Sequence, residues 1–482
     1  MNSNYLDQWI WEHIKREATS DISLRRILRI NQEQFNRVVL ERFQIFKLRQ
    51  IVAYVIKKSP FYRDLFSKHC VLPSPVETPA DLRRIPFTEP EDIIKDPYRF
   101  LCVPMGEISR IVSLATSGTT GEKKRIFFTE GDLRRIVDLL SANTKAVLGG
   151  KKAVVQIMLP GETIMGQADV LARGVEKAGA TPVVTGITSD IMKQVRAIAE
   201  HGSTALVGYS FYLHRLTKLA SERCKLREMG IETIVITGEP VPAAVRNALE
   251  DAWKAKVFCH YGLTEMGFNA GMGCHSGKGY HIHESDYLVE VINPQTGQPV
   301  VDGEEGELVI TSLKREGMPL IRYRTRDLAR IIVKKCACGS ILKRIDMITK
   351  RTCTGIKLGT SEIYPFTFDE SLFSIPMVLD YQLEVKKEQD KTTLIFLVEI
   401  VNRRQATRSA VKEIAKVIKQ DPLIKGDALG SKTFVEVKFV SKMRVRDTSC
   451  CKRLSAFANP PSQPDGTMKL DRLPDSGLAI RG

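Results

Sequence analysis

The sequence predicts an α/β protein, with a large N-terminal domain of βαβ units, a β-rich subdomain and a small α+β C-terminal domain. Between residues 152 and 240, short apolar runs alternate with helix-like stretches, which is typical of a parallel sheet covered by helices. From residue 286 onward the strand-like runs alternate and are separated by turn residues. After residue 351 a smaller mixed pattern begins. The length of 482 residues allows two to four domains.

The elements follow one another in a simple order along the chain. Apolar residues at helical spacing predict a helical lead-in over residues 1–70. Together with the βαβ units this lead-in makes up a domain over residues 1–350, with the β-rich subdomain at about 286–345. Residues 351–458 are predicted to form the α+β domain. Residues 459–482 are rich in Pro, Asp and Gly, which predicts a flexible tail.

The composition and charge are those of a globular enzyme. Hydrophobic residues make up 43% and charged residues 27% of the chain. The formal charge is +16, but the basic residues form no long block, which favours a solvated surface or anionic small molecules over nucleic acid. No stretch is apolar enough to span a membrane, and the N-terminus lacks the apolar core of a signal peptide. Ten unevenly spaced cysteines suit a reducing compartment, so the cytoplasm is predicted.

The first candidate site follows a strand-like run that ends at Ala115. Two glycines let backbone N–H groups converge on an anion, hydroxyl groups add donors, and a lysine supplies charge. The residues concerned are Thr116, Ser117, Gly118, Thr119, Thr120, Gly121 and Lys124. The lysine spacing differs from that of a Walker A loop. When the segment is taken alone, the alternative interpretation is an ordinary polar loop between strands.

A second candidate site follows another strand-like run. Thr264 and Glu265 come shortly after Gly262, where a hydroxyl can contact a phosphate oxygen and a carboxylate can hold Mg²⁺ together with phosphates. The alternative is a tight turn with an exposed glutamate. The signal is weak without its neighbours.

A third candidate site combines an aspartate with a more distant arginine. Asp327 can accept hydrogen bonds from both ribose hydroxyls, and Arg351 offers a planar fork for phosphate. For the neighbouring Arg322, Arg324 and Arg326, a solvated run of charges is the favoured interpretation.

The three sites taken together resemble the core motifs of the acyl-adenylate-forming superfamily, and their details resemble its phenylacetate-CoA ligase branch. The supporting stretches are Ser59–Arg63, Ile85–Thr88, Thr116–Lys124, Tyr261–Glu265, Gly303–Thr311 and Ile321–Leu328. They occur in order, at family-like spacing, between Lys47 and Pro365. Their joint occurrence is far more specific than any one motif.

The resemblance implies a nucleotide site at these motifs. The loop that begins at Thr116 would hold the β- and γ-phosphates together with Lys124. Tyr261 and the adjacent Gly262 would lie near adenine. The adenine site would also be lined by Gly238, Glu239 and Pro240.

The remaining motif residues would serve the reacting end of the nucleotide. Thr264 would contact the α-phosphate, and Glu265 would bind magnesium. Asp327 would take the ribose hydroxyls and Arg351 the phosphoribosyl region. All four residues match the family motifs at these positions.

The implied reaction uses ATP, Mg²⁺, a small carboxylic acid and coenzyme A. The carboxylate attacks the α-phosphorus, pyrophosphate leaves, and the acyl-adenylate passes its acyl group to the thiol. Segments 160–167 and 208–212 are the predicted acid pocket, and the acid itself is open. Two alternatives remain: an adenylating enzyme with a different acceptor, of the acyl-protein synthetase or coenzyme-adenylating type, or a catalytically silent nucleotide-binding protein. A homodimer is also left open.

The C-terminal domain departs from the family pattern. Related enzymes rotate this domain between half-reactions, so the resemblance implies a mobile domain. Their hinge carries an acidic residue, which is missing from Arg351–Gly355 in this chain. The adenylation lysine is assigned to Lys452, with Lys469 as the alternative.

A set of cysteines and a histidine predicts a metal site. The proposed tetrahedral ligands are Cys274, His281, Cys336 and Cys338. Spacing alone leaves unliganded buried cysteines as an alternative, and His275 or His283 as substitute ligands. Members of the resembled branch carry zinc in these loops, which favours a structural zinc ion with no open coordination position.

Overall fold

The computed structural model describes most of the chain. Its described residues are 5–29, 34–69, 78–115, 123–161, 164–352, 354–359, 361–388, 391–425, 433–440 and 454–457. The predicted phosphate loop at residues 116–121 lies outside them. So do Lys452, Lys469 and the tail from residue 459.

Helices occupy the N-terminal part of the chain. They are α1 (Tyr5–Ser20), α2 (Ile22–Leu28), α3 (Arg37–Lys58), α4 (Pro60–Lys68) and the short α5 (Pro90–Lys95). Polar side chains cap three of them, since Asp21, Asn36 and Ser59 accept hydrogen bonds from the first turns of α2, α3 and α4. Apolar residues of α1 to α3 form a separate small core that also includes Leu342, so the lead-in packs against the later β-rich region.

A hairpin and a long helix precede the main sheet. The hairpin strands are β1 (Ile108–Ala115) and β2 (Lys123–Thr129), and the helix is α6 (Glu130–Leu148). Ala115 pairs with Lys123, so the predicted phosphate loop connects the two hairpin strands. A capping box of Thr129 and Asp132 begins α6 directly after β2, which fixes the position of Lys124 relative to that helix.

The central sheet confirms the α/β prediction. Its parallel part is built from β3 (Val154–Met158), α7 (Gln167–Lys177), β4 (Thr181–Val184), α8 (Ile191–His201), β5 (Ala205–Tyr209), α9 (Ser210–Ser221), β6 (Thr233–Thr237), α10 (Ala243–Trp253) and β7 (Lys256–Tyr261). The parallel strands are ordered β4-β3-β5-β6-β7. The antiparallel strands β8 (Gly271–Met272) and β9 (Tyr280–Ile282) extend the sheet beyond β7.

The β-rich region differs in detail from the prediction. Its strands are β10 (Tyr287–Ile292), β11 (Gly306–Ser312), β12 (Tyr323–Ala329), β13 (Arg344–Ile345) and β14 (Lys350–Arg351). The antiparallel sheet is ordered β10-β11-β12-β14, while β13 pairs with β9 in the central sheet. Arg351, at the predicted domain boundary, therefore pairs with Asp327 as part of this sheet.

The predicted solvated run of arginines around β12 is wrong. Arg322 is buried and donates to Glu290 at 3.0 Å, while Arg324 donates to Glu307 at 3.1 Å. Arg326 is half-buried. These side chains are covered because an earlier segment packs over them. Arg322 donates to the Ile85 carbonyl at 2.6 Å, and Arg326 contacts Glu89 at 2.9 Å, so the neighbouring elements supply acceptors and carboxylates for the buried charges.

The C-terminal part has its own mixed sheet. Its elements are β15 (Ile356–Leu358), β16 (Ser361–Ile363), α11 (Asp369–Phe373), β17 (Val378–Glu388), β18 (Lys391–Ile400), α12 (Arg408–Gln420), α13 (Pro422–Lys425), β19 (Thr433–Phe439) and β20 (Leu454–Phe457). The four-stranded sheet is ordered β19-β18-β17-β20. Arg215 on α9 forms two hydrogen bonds with Glu399 on β18, at 2.9 and 2.8 Å. Within the described ranges, no helix is both long and apolar enough to cross a membrane.

Candidate active site

Candidate residues from four segments meet at one edge of the central sheet. Residues 238–240 follow β6, and residues 262–265 follow β7. Lys124 reaches this edge from β2, and Asp327 reaches it from β12. The carboxyl ends of parallel strands are where α/β proteins bind ligands, so the edge is the natural place for a substrate.

Three hydrogen bonds join Lys124, Glu265 and Tyr323 in a partly buried cluster. Lys124 Nζ donates to Glu265 Oε1 at 2.5 Å and to Tyr323 Oη at 2.9 Å. The Tyr323 hydroxyl donates to the same Glu265 oxygen at 2.8 Å. Burial raises the pKa of Glu265, but the charge of Lys124 and the hydrogen bonds to the carboxylate, including those from Lys124 and Tyr323, together hold that pKa below its usual value. The carboxylate is therefore ionised at neutral pH and can share a cation with a phosphate.

A second cluster joins Tyr261, Asp327 and Arg351. The Tyr261 hydroxyl donates to Asp327 Oδ2 at 2.7 Å, and Arg351 Nε lies 2.8 Å from Asp327 Oδ1. Burial raises the pKa of Asp327, and Arg351 opposes the rise. The two carboxylate oxygens thus have separate partners, and the register between β12 and β14 places the arginine opposite the aspartate.

Glycines at the strand ends allow close packing around the site. Gly238 has φ +75°, and a Cβ there would lie 2.7 Å from the Tyr209 ring. A Cβ at Gly262 would lie 2.0 Å from the Phe268 carbonyl oxygen. Side chains at either position would force the backbone apart, so the turns after β6 and β7 depend on these two residues.

Glu239, predicted to line the adenine site, has a structural contact. Its Oε2 accepts a hydrogen bond from the Phe211 backbone N–H at 3.1 Å, in the first turn of α9. A carboxylate at a helix N-terminus is stabilised by the helix dipole. Thr264 begins a short 3₁₀ helix that ends at Met266, and this turn presents Glu265 to Lys124.

Sequence reasoning missed two residues of the site. Tyr323 contacts both Lys124 and Glu265. It was not predicted as a site residue, although it lies in a stretch that carries the family resemblance. Arg315 donates to the Glu265 backbone carbonyl at 2.5 Å and stacks over the Phe128 ring at 4.1 Å. Arg315 lies between Lys314 and Glu316, outside the stretches that carry the family resemblance, so no pattern of spacing could have identified it.

An apolar cavity extends from this edge into the protein. It lies between strands β3, β5, β6 and β7 on one side and helices α6 and α7 on the other. Its polar lining residues include Asn143, Gln167, Thr237 and His260. Thr237 and His260 lie one residue before Gly238 and Tyr261, so the cavity is next to the clusters described above. Among the residues of the two predicted acid-pocket segments, Gln167 lines this cavity.

Buried polar groups at the cavity end form one network. His260 contacts Thr237 Oγ1 through Nδ1 at 2.8 Å and Asn269 Oδ1 through Nε2 at 3.0 Å. His283 Nε2 and Asn143 Nδ2 also contact Asn269 Oδ1, both at 3.0 Å. Burial lowers the pKa of His260 to about 4 and that of His283 to about 3, so both rings are neutral. His260 is held as a packing residue and is poorly placed to act as a base.

The predicted metal ligands come together in space. The ligand atoms of Cys274, His281, Cys336 and Cys338 all lie within 4.8 Å of one another. The Sγ atoms of Cys274 and Cys336 are 3.5 Å apart, and Cys338 Sγ is 3.3 Å from His281 Nε2. Three thiolates and an imidazole are one of the ligand sets that hold structural zinc in tetrahedral geometry. His283 contacts Asn269 instead, and His275 is not part of the group.

Comparisons with known proteins agree with this geometry. The family model described as AMP-binding enzyme matches residues 109–314. A phenylacetate-coenzyme A ligase of Thermus thermophilus is 30% identical over 403 residues, which cover 82% of this chain and 88% of the relative. The corresponding ligase of Escherichia coli is 29% identical, covering 75% of this chain and 82% of the relative.

A solved structure shares the fold over nearly the whole length. A 2-hydroxyisobutyryl-CoA ligase in the postadenylation state aligns with a TM-score of 0.76 and 21% identity. The alignment covers 88% of this chain and 90% of that ligase. From the motifs, the fold and the Thermus relative together, the chain belongs to the AMP-binding enzyme family, in the branch that contains the phenylacetate-coenzyme A ligases.

Proposed function

We propose that this protein activates a carboxylic acid with ATP and transfers the acyl group to coenzyme A. In the first step a carboxylate oxygen bonds to the α-phosphorus of ATP, and the bond to pyrophosphate breaks. In the second step the CoA thiol loses its proton and its sulfur bonds to the acyl carbon, and AMP leaves. The products are acyl-CoA, AMP and pyrophosphate.

The observation that carries the proposal is the position of two charged clusters beside an apolar cavity. The Lys124 and Glu265 pair suits a phosphate and its cation, while Asp327 with Arg351 suits a ribose and its phosphate. The cavity next to His260 has a volume of about 60 Å³ and a mostly apolar lining, and such a lining suits the apolar body of a small organic acid. Reaction at the α-phosphorus needs these three parts side by side.

The described residues can hold and polarise the substrates without a protein nucleophile. Magnesium would be held by Glu265 and phosphate oxygens, and it would supply charge neutralisation on the departing pyrophosphate. Lys124 would remain close to the phosphate oxygens, because its ammonium already contacts the Glu265 carboxylate. Asp327 would orient the ribose. Lys452 stays our assignment for the lysine that contacts the reacting groups.

The function is tested by following ATP consumption with a panel of carboxylic acids. We expect acid-dependent release of pyrophosphate and AMP, and formation of acyl-CoA when coenzyme A is present. Consumption of ATP and acid without any acyl-CoA would instead indicate a different acceptor. Purified protein that binds ATP but releases no pyrophosphate with any acid would support the catalytically silent alternative.

Asp327→Asn is expected to raise the KM for ATP by about tenfold, because hydrogen bonds to a charged acceptor contribute more than neutral ones. The kcat at saturating ATP should change less. Initial rates of pyrophosphate release at varied ATP measure both constants. Asp346→Asn is the matched control, since that aspartate pairs with Arg330 at 2.9 Å on a more exposed surface. An unchanged KM in Asp327→Asn would contradict the ribose assignment.

We also propose that the Cys₃His group holds one structural zinc ion. Metal analysis of protein purified without chelators should give about one equivalent of zinc per chain. Cys338→Ser should lose most of this zinc. Cys224→Ser should keep it, because that free cysteine lies outside the group. A zinc content that is equally low in the wild type and in Cys338→Ser would contradict the site.

A further inference from the structure

The apolar cavity is small, about 60 Å³, and partly open, but the residues that line it are spread along two elements. It follows β6 from Thr233 to Thr237, a distance of about 13 Å at the usual rise of a strand. Along its opposite wall it follows α6 from Leu140 to Leu148, about 12 Å of helix. Most of the lining is apolar, and of its polar residues Thr237 and His260 lie next to the charged clusters, while Thr233 lies at the other end of β6.

One polar atom in this cavity has no partner. Asn143 is 5% exposed and lines the cavity, and its Nδ2 donates to Asn269 Oδ1 at 3.0 Å. Its Oδ1 is buried and accepts no hydrogen bond from any residue within the described ranges. A buried polar atom without a partner is unfavourable, and a ligand in the cavity that Asn143 lines would supply the missing hydrogen bond.

The Asn143 amide is hydrogen-bonded at one end only. Its bonded end faces Asn269 Oδ1, which also lies 3.0 Å from His260 Nε2 and His283 Nε2. Asn269 Nδ2 is likewise buried without a partner among the described residues, so turning both amides together would leave Asn143 Nδ2 free in place of Oδ1. In either orientation one polar end of Asn143 is left over, and a hydroxyl suits both because it can donate and accept.

The next residue on the same helix provides a contrast. Thr144 also lines the cavity, but its hydroxyl donates to the Leu140 carbonyl at 2.8 Å within α6. Its polar group is therefore satisfied without a ligand. Asn143 differs from Thr144 in having one polar end without a partner within the described ranges.

We propose that the acid activated by this protein carries a hydroxyl group on an otherwise apolar body, and that this hydroxyl forms a hydrogen bond with the free end of the Asn143 amide. The inference rests on the proposed function and names its substrate class. A hydroxyl fits better than an ammonium group, because none of the described residues that line the cavity carries a carboxylate. A buried ammonium would lack a counterion there.

The test compares matched acids in the pyrophosphate-release assay. Aliphatic and aryl acids with a hydroxyl at successive positions are paired with analogues that carry hydrogen or methyl in its place. For the wild type, kcat/KM should favour at least one hydroxy acid over its analogues by about 10- to 100-fold, since leaving a buried polar group unsatisfied has a cost of that order. Asn143→Leu should bring this ratio close to one or invert it.

Thr144→Val serves as the matched control on the same cavity wall, and it should leave the ratio between paired acids unchanged. Wild-type protein that activates acids but prefers no hydroxy acid over its analogues would overturn the inference and leave the proposed function standing. Absence of pyrophosphate release with every acid would overturn both. The comparison of paired acids with the wild-type protein tests the inference even if Asn143→Leu does not fold.

Discussion

Replacing Glu265 by glutamine is expected to lower acid-dependent pyrophosphate release by about 100- to 1,000-fold, the usual effect of losing one preorganised charge in an active site. The substitution keeps the shape of the side chain but removes the negative charge that faces Lys124. It therefore weakens the cation site and leaves the lysine without its anionic partner in the free enzyme. Rates at saturating ATP and varied magnesium should show a lower kcat and a higher magnesium requirement.

Glu305→Gln is the matched control for this change. Glu305 contacts Lys350 at 3.0 Å, but both side chains are more than one-third exposed, so the pair contributes little. The control should stay within about twofold of the wild-type rate, because exposed ion pairs are worth at most about 1 kcal/mol. If Glu265→Gln kept both the wild-type rate and the wild-type magnesium dependence, the assignment of Glu265 to the cation would be wrong.

The fold class could be predicted because its signal is local. Alternation of apolar runs with helical stretches between residues 152 and 240 predicted the region that contains β3 to β6, because strongly periodic segments are the easiest to recognise. The short strands were harder to predict from the sequence. Two-residue strands such as Arg344–Ile345 carry no periodicity of their own, and the choice of β9 as its partner depends on tertiary packing.

The candidate site shows the same division between local motif and distant contact. Motif spacing named Lys124, Glu265 and Asp327, which the fold brings to one edge of the sheet. Spacing could not reveal Arg315, whose role comes from a contact with the Glu265 carbonyl. It also could not reveal the unpaired end of the Asn143 amide, because hydrogen-bond satisfaction depends on groups more than 100 residues away.

Glu399→Gln is expected to destabilise the packing of the C-terminal sheet on the central domain by about 3–5 kcal/mol, the cost of removing one partner from a buried ion pair. Both side chains of the Arg215–Glu399 pair are almost fully buried. The variant leaves the arginine charge enclosed without its carboxylate. Amide hydrogen exchange in β18 should speed up, since its protection reports the free energy of local opening.

A double variant that removes both charges separates the effect of the ion pair from that of ordinary packing. The pair Arg215→Met with Glu399→Leu should recover most of the lost protection, because replacing both buried charges by apolar groups is often neutral or stabilising. Glu232→Gln, at the exposed Lys151–Glu232 pair, is the control and should leave exchange unchanged. If the C-terminal sheet spends most of its time rotated away from α9, Glu399→Gln will leave β18 exchange unaltered. The ion pair is intact only in the described arrangement, so a full-sized effect would mean that this arrangement dominates before substrates bind.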